Sequence, residues 1–276
     1  MSLVVEEVPA SVRSLGTRAH HAAVCAVALR DQGEATVAEL ADRTGLSRPT
    51  VDAGLDTMAE RGLITVLDEM TTGGRGVGRP ARRYAFRPQA GHVVAIDVGV
   101  HRIRVAVADL AGRAVGWREE TVAPGTGGAG RMATVTRVAS RCLAEAGVGV
   151  GSLVGLGVAV TGMVGRDGRL IVSNNLPDWE GIDIAGHLRR EYGCPVVVDN
   201  DIRMAALAEH RLGAARLVDD VVYLFAGHRV SMGLILGGEL RHGRHSAAGE
   251  IGGIAFSMSV DDRHDQLRWT SAESGA

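Results

Sequence analysis

The chain has 276 residues, 46% of them hydrophobic and 22% charged, which leaves room for two packed domains and argues against wholesale disorder. Its formal net charge of −2 means that any attraction to nucleic acid has to come from a local patch. All thirty basic residues are arginine, so chemistry that depends on a lysine, such as the P-loop or a Schiff base, is excluded.

The opening MSLVVEEVPA is acidic and lacks the charged-then-apolar design of an export signal. The most apolar stretch, Val148 to Val160, is too short and too rich in glycine to span a bilayer. Cys25, Cys142 and Cys194 are far apart, show no metal-ligand spacing and read as small buried apolar residues in a reducing compartment. The expectation is a cytoplasmic protein that stays off membranes.

Residues 1–16 are expected to be a flexible arm. Three helical segments follow. The first runs from Arg18 to Gln32 and stops at Gly33; the second opens at Thr36 with Glu39 three residues on, a capping box; the third opens near Ser47 with Pro49 in its first turn. The period then changes. Leu63 to Leu67 reads as a strand, Thr71 to Pro80 as a glycine-rich loop and Arg82 to Phe86 as the returning strand. Residues 17–88 thus form one domain, an all-α head with a β-wing, and Gln89 to Gly91 is a linker.

This head has the spacing of a helix-turn-helix. Val37, Leu40 and Leu46, then Val51, Leu55 and Met58, supply the inward faces of two helices. Ala41 is small where those helices cross, and Gly45 sits where the turn needs a permissive backbone. Arg48, Thr50, Ala53, Gly54 and Thr57 are left pointing outward, small and polar enough for a helix lying deep in a major groove. The wing carries Arg75, Arg79, Arg82, Arg83 and Arg87, and no acidic residue occurs from Met70 to Pro88. Gly78-Arg79-Pro80 is suited to lay Arg79 along a minor groove. Arg48, Thr50, Thr57, Arg75, Arg79, Arg82 and Arg83 are therefore the candidate contacts to double-stranded DNA.

From His92 strands alternate with helices. Val93–Asp97, Ile103–Asp109 and Ala114–Val122 read as a three-strand meander, Arg131–Ala146 as a helix and Leu153–Val160 as a strand buried on both faces. Ile182–Tyr192 is a helix, Pro195–Asp199 a strand, Arg203–Leu212 a helix, and Val221–Phe225 and Met232–Leu236 are strands. The order predicts an α/β domain with a mixed sheet over residues 92–276. An aspartate at a strand end before a glycine turn (IDVGVHRIRV) and an Asn-Asp pair between strand and helix (VVVDNDIRMAALAEH) point to an actin- or hexokinase-like, ribonuclease H-like fold. A ligand belongs at the carboxyl ends of such strands.

At this point the chain resembles the ROK family of repressors, open reading frames and sugar kinases. The resemblance spans roughly residues 15–253 and rests on the winged helix-turn-helix with its GRP wing, IDVG, NNLPDW, the DND-helix motif and AAGEIG. Members with the DNA-binding head are mostly repressors of sugar-use operons; members without it are mostly sugar kinases. The resemblance implies that Asn175, Asn200, Asp201 and Glu250 are hydroxyl partners of a sugar-like effector, because carboxylates and amides offer several lone pairs and donors in fixed geometry. Asp201 stands where the family's kinases keep their general base, and it also suits an N-cap for the helix that follows.

Departures from the kinase pattern decide between these branches. The family's first phosphate hairpin reads D-x-G-G-T, whereas here it is Asp97-Val98-Gly99-Val100-His101, with β-branched Val100 in place of a glycine. The second phosphate loop is Ala226 to Gly233, where His228, Arg229 and Val230 replace the family's glycine and threonine. The expectation is a homodimeric repressor and not an enzyme, with no cofactor. The alternative is an ATP-dependent sugar kinase with an accessory DNA-binding module. No metal is expected either: Gly253 stands where the family's zinc site has a histidine, no cysteine follows before Ala276, and His242 and His245 read as solvated loop residues. Only 75 residues follow Asp201, so the second lobe is expected to be incomplete and the chain truncated.

Overall fold

The computed structural model describes residues 16–67, 82–123, 125–173, 176, 178–227 and 230–252. The chain divides into two compact units. One takes in residues up to His92 together with Ala108–Arg113, and the other Val93–Val107 and the residues from Ala114 onward.

In the first unit α1 (Thr17–Gln32) is followed by β1 (Ala35–Thr36), α2 (Val37–Thr44), α3 (Arg48–Glu60), β2 (Ile64–Leu67) and β3 (Arg83–Phe86). The expected start and stop residues do their work. Thr36 Oγ1 accepts from Glu39 N while Glu39 Oε2 accepts from Thr36 N, closing the capping box. Gly45 ends α2 in the left-handed region (φ 71°), and Ser47 caps α3 with Pro49 in its first turn. The three strands form one sheet in the order β1-β3-β2, with β3 antiparallel to both neighbours. Leu29, Leu40, Val51, Leu55, Met58 and Ile64 fill the core, and Cys25 is buried among them.

Gly54 corrects one expectation. It is buried rather than outward, because α1 crosses α3 there: a Cβ on Gly54 would lie 3.3 Å from Cys25 Sγ and 3.5 Å from Ala22 Cα. The close crossing thus uses glycine on α3 against small residues of α1.

The residues expected as a linker hold a short 3-10 turn, Pro88–Ala90. In the second unit β4 (His92–Val98, whose first residue belongs with the head unit), β5 (Arg102–Asp109) and β6 (Ala114–Thr121) form the expected meander. They continue as a five-stranded sheet, β10-β7-β4-β5-β6, with β7 (Leu153–Val160) parallel to β10 (Val196–Asn200). The sheet is mixed because short turns join β4, β5 and β6 while a long crossover separates β7 from β10. That crossover carries β8 (Met163–Val164), β9 (Leu170–Val172) and α5 (Ile184–Tyr192). Helix α4 (Gly128–Glu145) precedes β7 and packs on the same core as α5.

Two expectations fail here for identifiable reasons. Helix α4 starts three residues earlier than its apolar pattern, because glycine is required inside it: a Cβ on Gly128 would collide with the Asp178 carbonyl oxygen and Ile182 Cδ1. Strand β7 is buried on one face, not two. Leu156, Val158 and Val160 are in the core, whereas Val154 is 50% exposed among the described residues. Its unbroken apolar run gave no means of telling the covered face from the open one.

Helix α6 (Asp201–Leu212) leaves β10 directly and packs on β12 (Val230–Leu236), which pairs antiparallel with β11 (Val221–Ala226) and β13 (Glu239–Leu240). Gly233 permits that packing, since a Cβ there would overlap Ala206 Cβ. All three cysteines are buried and unpaired, as expected, and burial pushes the Cys25 thiol up to about 11. No described helix is long and apolar enough to cross a membrane.

Candidate functional site

In the head the N-terminal end of α3 is exposed. Arg48 is exposed there, and the Thr50 hydroxyl lies 2.7 Å from Ser47 Oγ. Thr50 and Ala53 line a small cleft with Thr17, Arg18 and His21 of α1, so exposed Arg18 stands beside the same helix end, a neighbour that spacing within α3 gave no way to see. Thr57 is half-buried. Its hydroxyl donates to Ala53 O at 2.9 Å, and its side chain borders a cavity of about 460 Å³ shared with Ala22, Ala26, Met58 and Phe86. The exposed ridge of α3 instead carries Asp52, Asp56 and Glu60, one turn apart.

The wing arginines divide in two. Arg83 is engaged within the fold: its guanidinium meets Glu34 Oε1 at 3.2 Å and Glu39 Oε1 at 3.4 Å and donates to Glu34 O. Arg82 is exposed, while Arg87 donates to Gly62 O at 3.2 Å. Arg75 and Arg79 lie outside the described residues.

In the body the parallel pairing of β7 with β10 brings their carboxyl ends together, with Val160 opposite Asn200. Thr161 follows one strand and Asp201 the other, and the Thr161 hydroxyl donates to Asp201 Oδ2 at 2.9 Å. Asp201 Oδ1 accepts from Asn200 Nδ2 and from Ile202 N. Burial pushes the Asp201 carboxyl above its ordinary range. The hydrogen bond from Thr161 opposes this, and the nearby Asp97 charge adds to it. Asp97 pairs with Arg104 at 3.0 Å.

The N-cap of α6 is Asn200, not Asp201: its side-chain oxygen accepts from both Ile202 N and Arg203 N. Its Nδ2 also donates to Gly162 O at 2.9 Å, which ties the two strand ends together. Glu250 is exposed on the loop after β13, whose backbone is pinned to β12 by Met232 N donating to Gly249 O. Asn175 lies outside the described residues; Leu176 and Trp179 are buried in the core.

The turn after Asp97 closes with Gly99 N donating to Arg102 O at 2.9 Å. Arg131, wholly buried, sends Nη1 to Gly99 O at 2.8 Å and Val100 O at 3.2 Å, while its Nε and Nη2 find no partner among the described residues. The second expected phosphate loop is shorter than the sequence implied. Ala226 pairs with Val230 and Val230 to Gly233 belong to β12, while His228 and Arg229 lie outside the described residues. Among the described residues no group of three or more His, Cys, Asp or Glu side chains is arranged to hold a metal ion. His242 is not a solvated loop residue as expected: its Nε2 lies 2.8 Å from Asp199 Oδ2.

A winged helical head and an α/β body with paired polar strand ends define the class, and sequence comparison agrees: the chain belongs to the ROK family, whose model matches residues 93–265. A MarR family model matches residues 17–71. The chain is 25% identical to the xylose repressor of Bacillus subtilis (strain 168) over 222 residues, which is 80% of this chain and 56% of that protein. It therefore spans just over half the length of that relative. It is also 29% identical, over 161 residues, to a glucokinase of Halalkalibacterium halodurans, covering 58% of this chain and 49% of the enzyme.

Two solved structures show the same division. A ROK family transcriptional regulator, a homologue of the E. coli MLC protein, superposes with a TM-score of 0.69 at 18% identity, covering 92% of this chain and 63% of that one, a likeness of fold alone. A ROK family glucokinase from Streptomyces griseus, in complex with glucose and AMPPNP, superposes with a TM-score of 0.53 at 27% identity, covering 60% of this chain and 51% of that one.

Proposed function

We propose that this chain is the operator-binding and effector-sensing part of a cytoplasmic, sugar-responsive transcriptional repressor that holds its sugar without phosphorylating it. The observation that carries the reading is the union, in one chain, of a winged helical head and a ROK body, with similarity to a xylose repressor across four-fifths of the sequence.

On this reading the N-terminal end of α3 enters the major groove of duplex DNA, with Arg48, Thr50 and Arg18 on bases and phosphates. Asp52 and Asp56 are acceptors suited to cytosine amino groups, and they cannot lie against phosphates without repulsion. Arg75, Arg79 and Arg82 of the wing supply the cationic contacts. Arg83 and Thr57, engaged within the head, serve its packing. A homodimer on a two-fold operator follows from the symmetry such sites usually share with their proteins.

In the body Asn200, Asp201, Asn175 and Glu250 receive the sugar hydroxyls, with Thr161 as an addition. A sugar alters DNA binding only if it prefers one arrangement of the protein over another. The test is operator binding by fluorescence anisotropy, on sites found by genome-wide binding, with and without a panel of pentoses and hexoses. Affinity for DNA unchanged by every sugar would sink the effector reading. Indifference to all duplex DNA at low salt would sink the repressor reading.

A second reading, an ATP-dependent sugar kinase, is favoured by the 29% identity to a glucokinase and by the family resemblance, which implies a general-base position for Asp201. The Gly99 amide, already donated to Arg102 O, and the β-branched Val100 weigh against it, since phosphate binding needs free amides at close approach. ADP release from ATP with a hexose, lost in Asp201→Ala, would restore the kinase reading.

A further inference from the structure

Asp199 lies one residue before Asn200, is 7% exposed, and faces an arginine and a histidine at once. Arg203, 1% exposed, places Nη1 3.0 Å from Asp199 Oδ1 as an ion pair. His242 places Nε2 2.8 Å from Asp199 Oδ2. The Arg203 Nη2 group donates onward to Ser246 O at 3.1 Å and Val164 O at 3.3 Å. One buried carboxylate therefore joins β10, α6, β8 and the loop after β13.

That loop is the segment that carries Glu250. It is folded on itself by Ala248 N donating to His242 O at 3.2 Å and Glu250 N donating to Ala247 O at 3.2 Å. Gly249 (φ 91°) accepts from Met232 N, and a Cβ there would collide with Met232 O, so the loop has no slack at that point. Two links of the loop, His242 to Asp199 and Ser246 O to Arg203, converge on the Asp199 and Arg203 pair. Burial of a charged carboxylate is costly unless it is paired, which gives this arrangement one stable form.

We propose that Asp199, Arg203 and His242 are positioning residues that lock the Glu250 loop onto the strand end bearing Asn200 and Asp201, so that effector groups from two distant segments meet one sugar. The inference rests on the sugar site proposed above. None of the three is placed against the sugar; each acts through the loop.

The test compares the intact protein with His242→Ala and His242→Gln, the latter keeping a side-chain N–H that can reach Asp199. Two readouts are taken: sugar affinity by calorimetry, using the sugar that releases the operator, and hydrogen–deuterium exchange of the amides of Met232, Ala248 and Glu250. The expected result is faster exchange at those amides and about tenfold weaker sugar binding in His242→Ala, both largely restored in His242→Gln. Unchanged exchange and affinity in His242→Ala would overturn the proposal. So would a loss in His242→Ala that His242→Gln fails to restore, since a side-chain N–H reaching Asp199 would then not be what holds the loop. If no sugar binds the unaltered protein, the sugar site itself falls and takes the ligand half of the inference with it; exchange alone then decides the anchoring.

Discussion

Thr161 and Asp201, 40 residues apart, meet because β7 and β10 run parallel: the residue after one strand stands beside the residue after the other, and the threonine hydroxyl donates to the carboxylate at 2.9 Å. This single bond assembles the polar floor of the body's candidate site from two segments that share no motif.

The buried setting of Asp201 has a consequence for stability against pH. Its carboxyl is raised above the ordinary range by burial. A carboxyl raised in the folded state contributes stability that is fully present below its unfolded pKa and lost as the pH rises through the folded value. Asn at this position does not titrate. The melting temperature of the unaltered chain relative to Asp201→Asn is therefore expected to fall as the pH rises above the ordinary carboxylate range, as thermal denaturation of both proteins across a pH series would show. At neutral pH Asp201→Asn is expected to lose sugar binding without losing stability. A parallel loss of both would mean that the carboxylate holds the fold together and not the ligand.

DNA binding should separate the arginines of the head. Arg48→Ala and Arg79→Ala are each expected to weaken binding, and where the lost contact is to phosphate the slope of log affinity against log salt drops by about 1. Arg83→Ala is expected to leave that slope unchanged and to lower the melting temperature, because its partners are Glu34 and Glu39. Equal salt slopes in all three variants would refute this division.

Gly54 sits where α1 and α3 cross, with Cys25 Sγ 3.3 Å from the position of a Cβ. Gly54→Val overfills that crossing and is expected to destabilise the protein by about 1–3 kcal/mol, read by urea denaturation. No change in midpoint would place the helices further apart than they are found.

Gly128 offers a sharper test of packing against propensity. Inside an exposed helix, glycine to alanine stabilises by about 1 kcal/mol. Here the added methyl meets the backbone carbonyl of Asp178, which cannot swing aside as a flexible side chain would. Gly128→Ala is expected to lower the melting temperature, while Gly130→Ala two residues on, where the nearest atom is the Thr126 methyl at 3.2 Å, is expected to cost less.

The head was largely legible from its residues. Thr36 with Glu39, Gly45, and Ser47 with Pro49 each act on neighbours a few positions away, so their roles are written in local spacing. What local spacing did not give there depends on a second element: Gly54 turns inward because α1 crosses it, Thr57 borders a cavity lined by α1 residues, and β3 brings Arg83 to Glu34 and Glu39. In the body the resemblance to a family marked Asn200 and Asp201, but nothing near Thr161, Arg131 or His242 advertised a role.

The amino-acid sequence by itself determined the order of the elements, the helix-turn-helix spacing, the excess of arginine on the wing and the β-branched Val100 after Gly99. Those features depend on side-chain type and on hydrogen bonds within a turn or two. Only the tertiary structure decided that Asp199 is shared by Arg203 and His242, that Asn200 caps α6, and that one face of β7 is open. The physical reason is that a parallel strand pair brings together residues whose separation along the chain is set by the intervening crossover, a distance on which no local pattern depends.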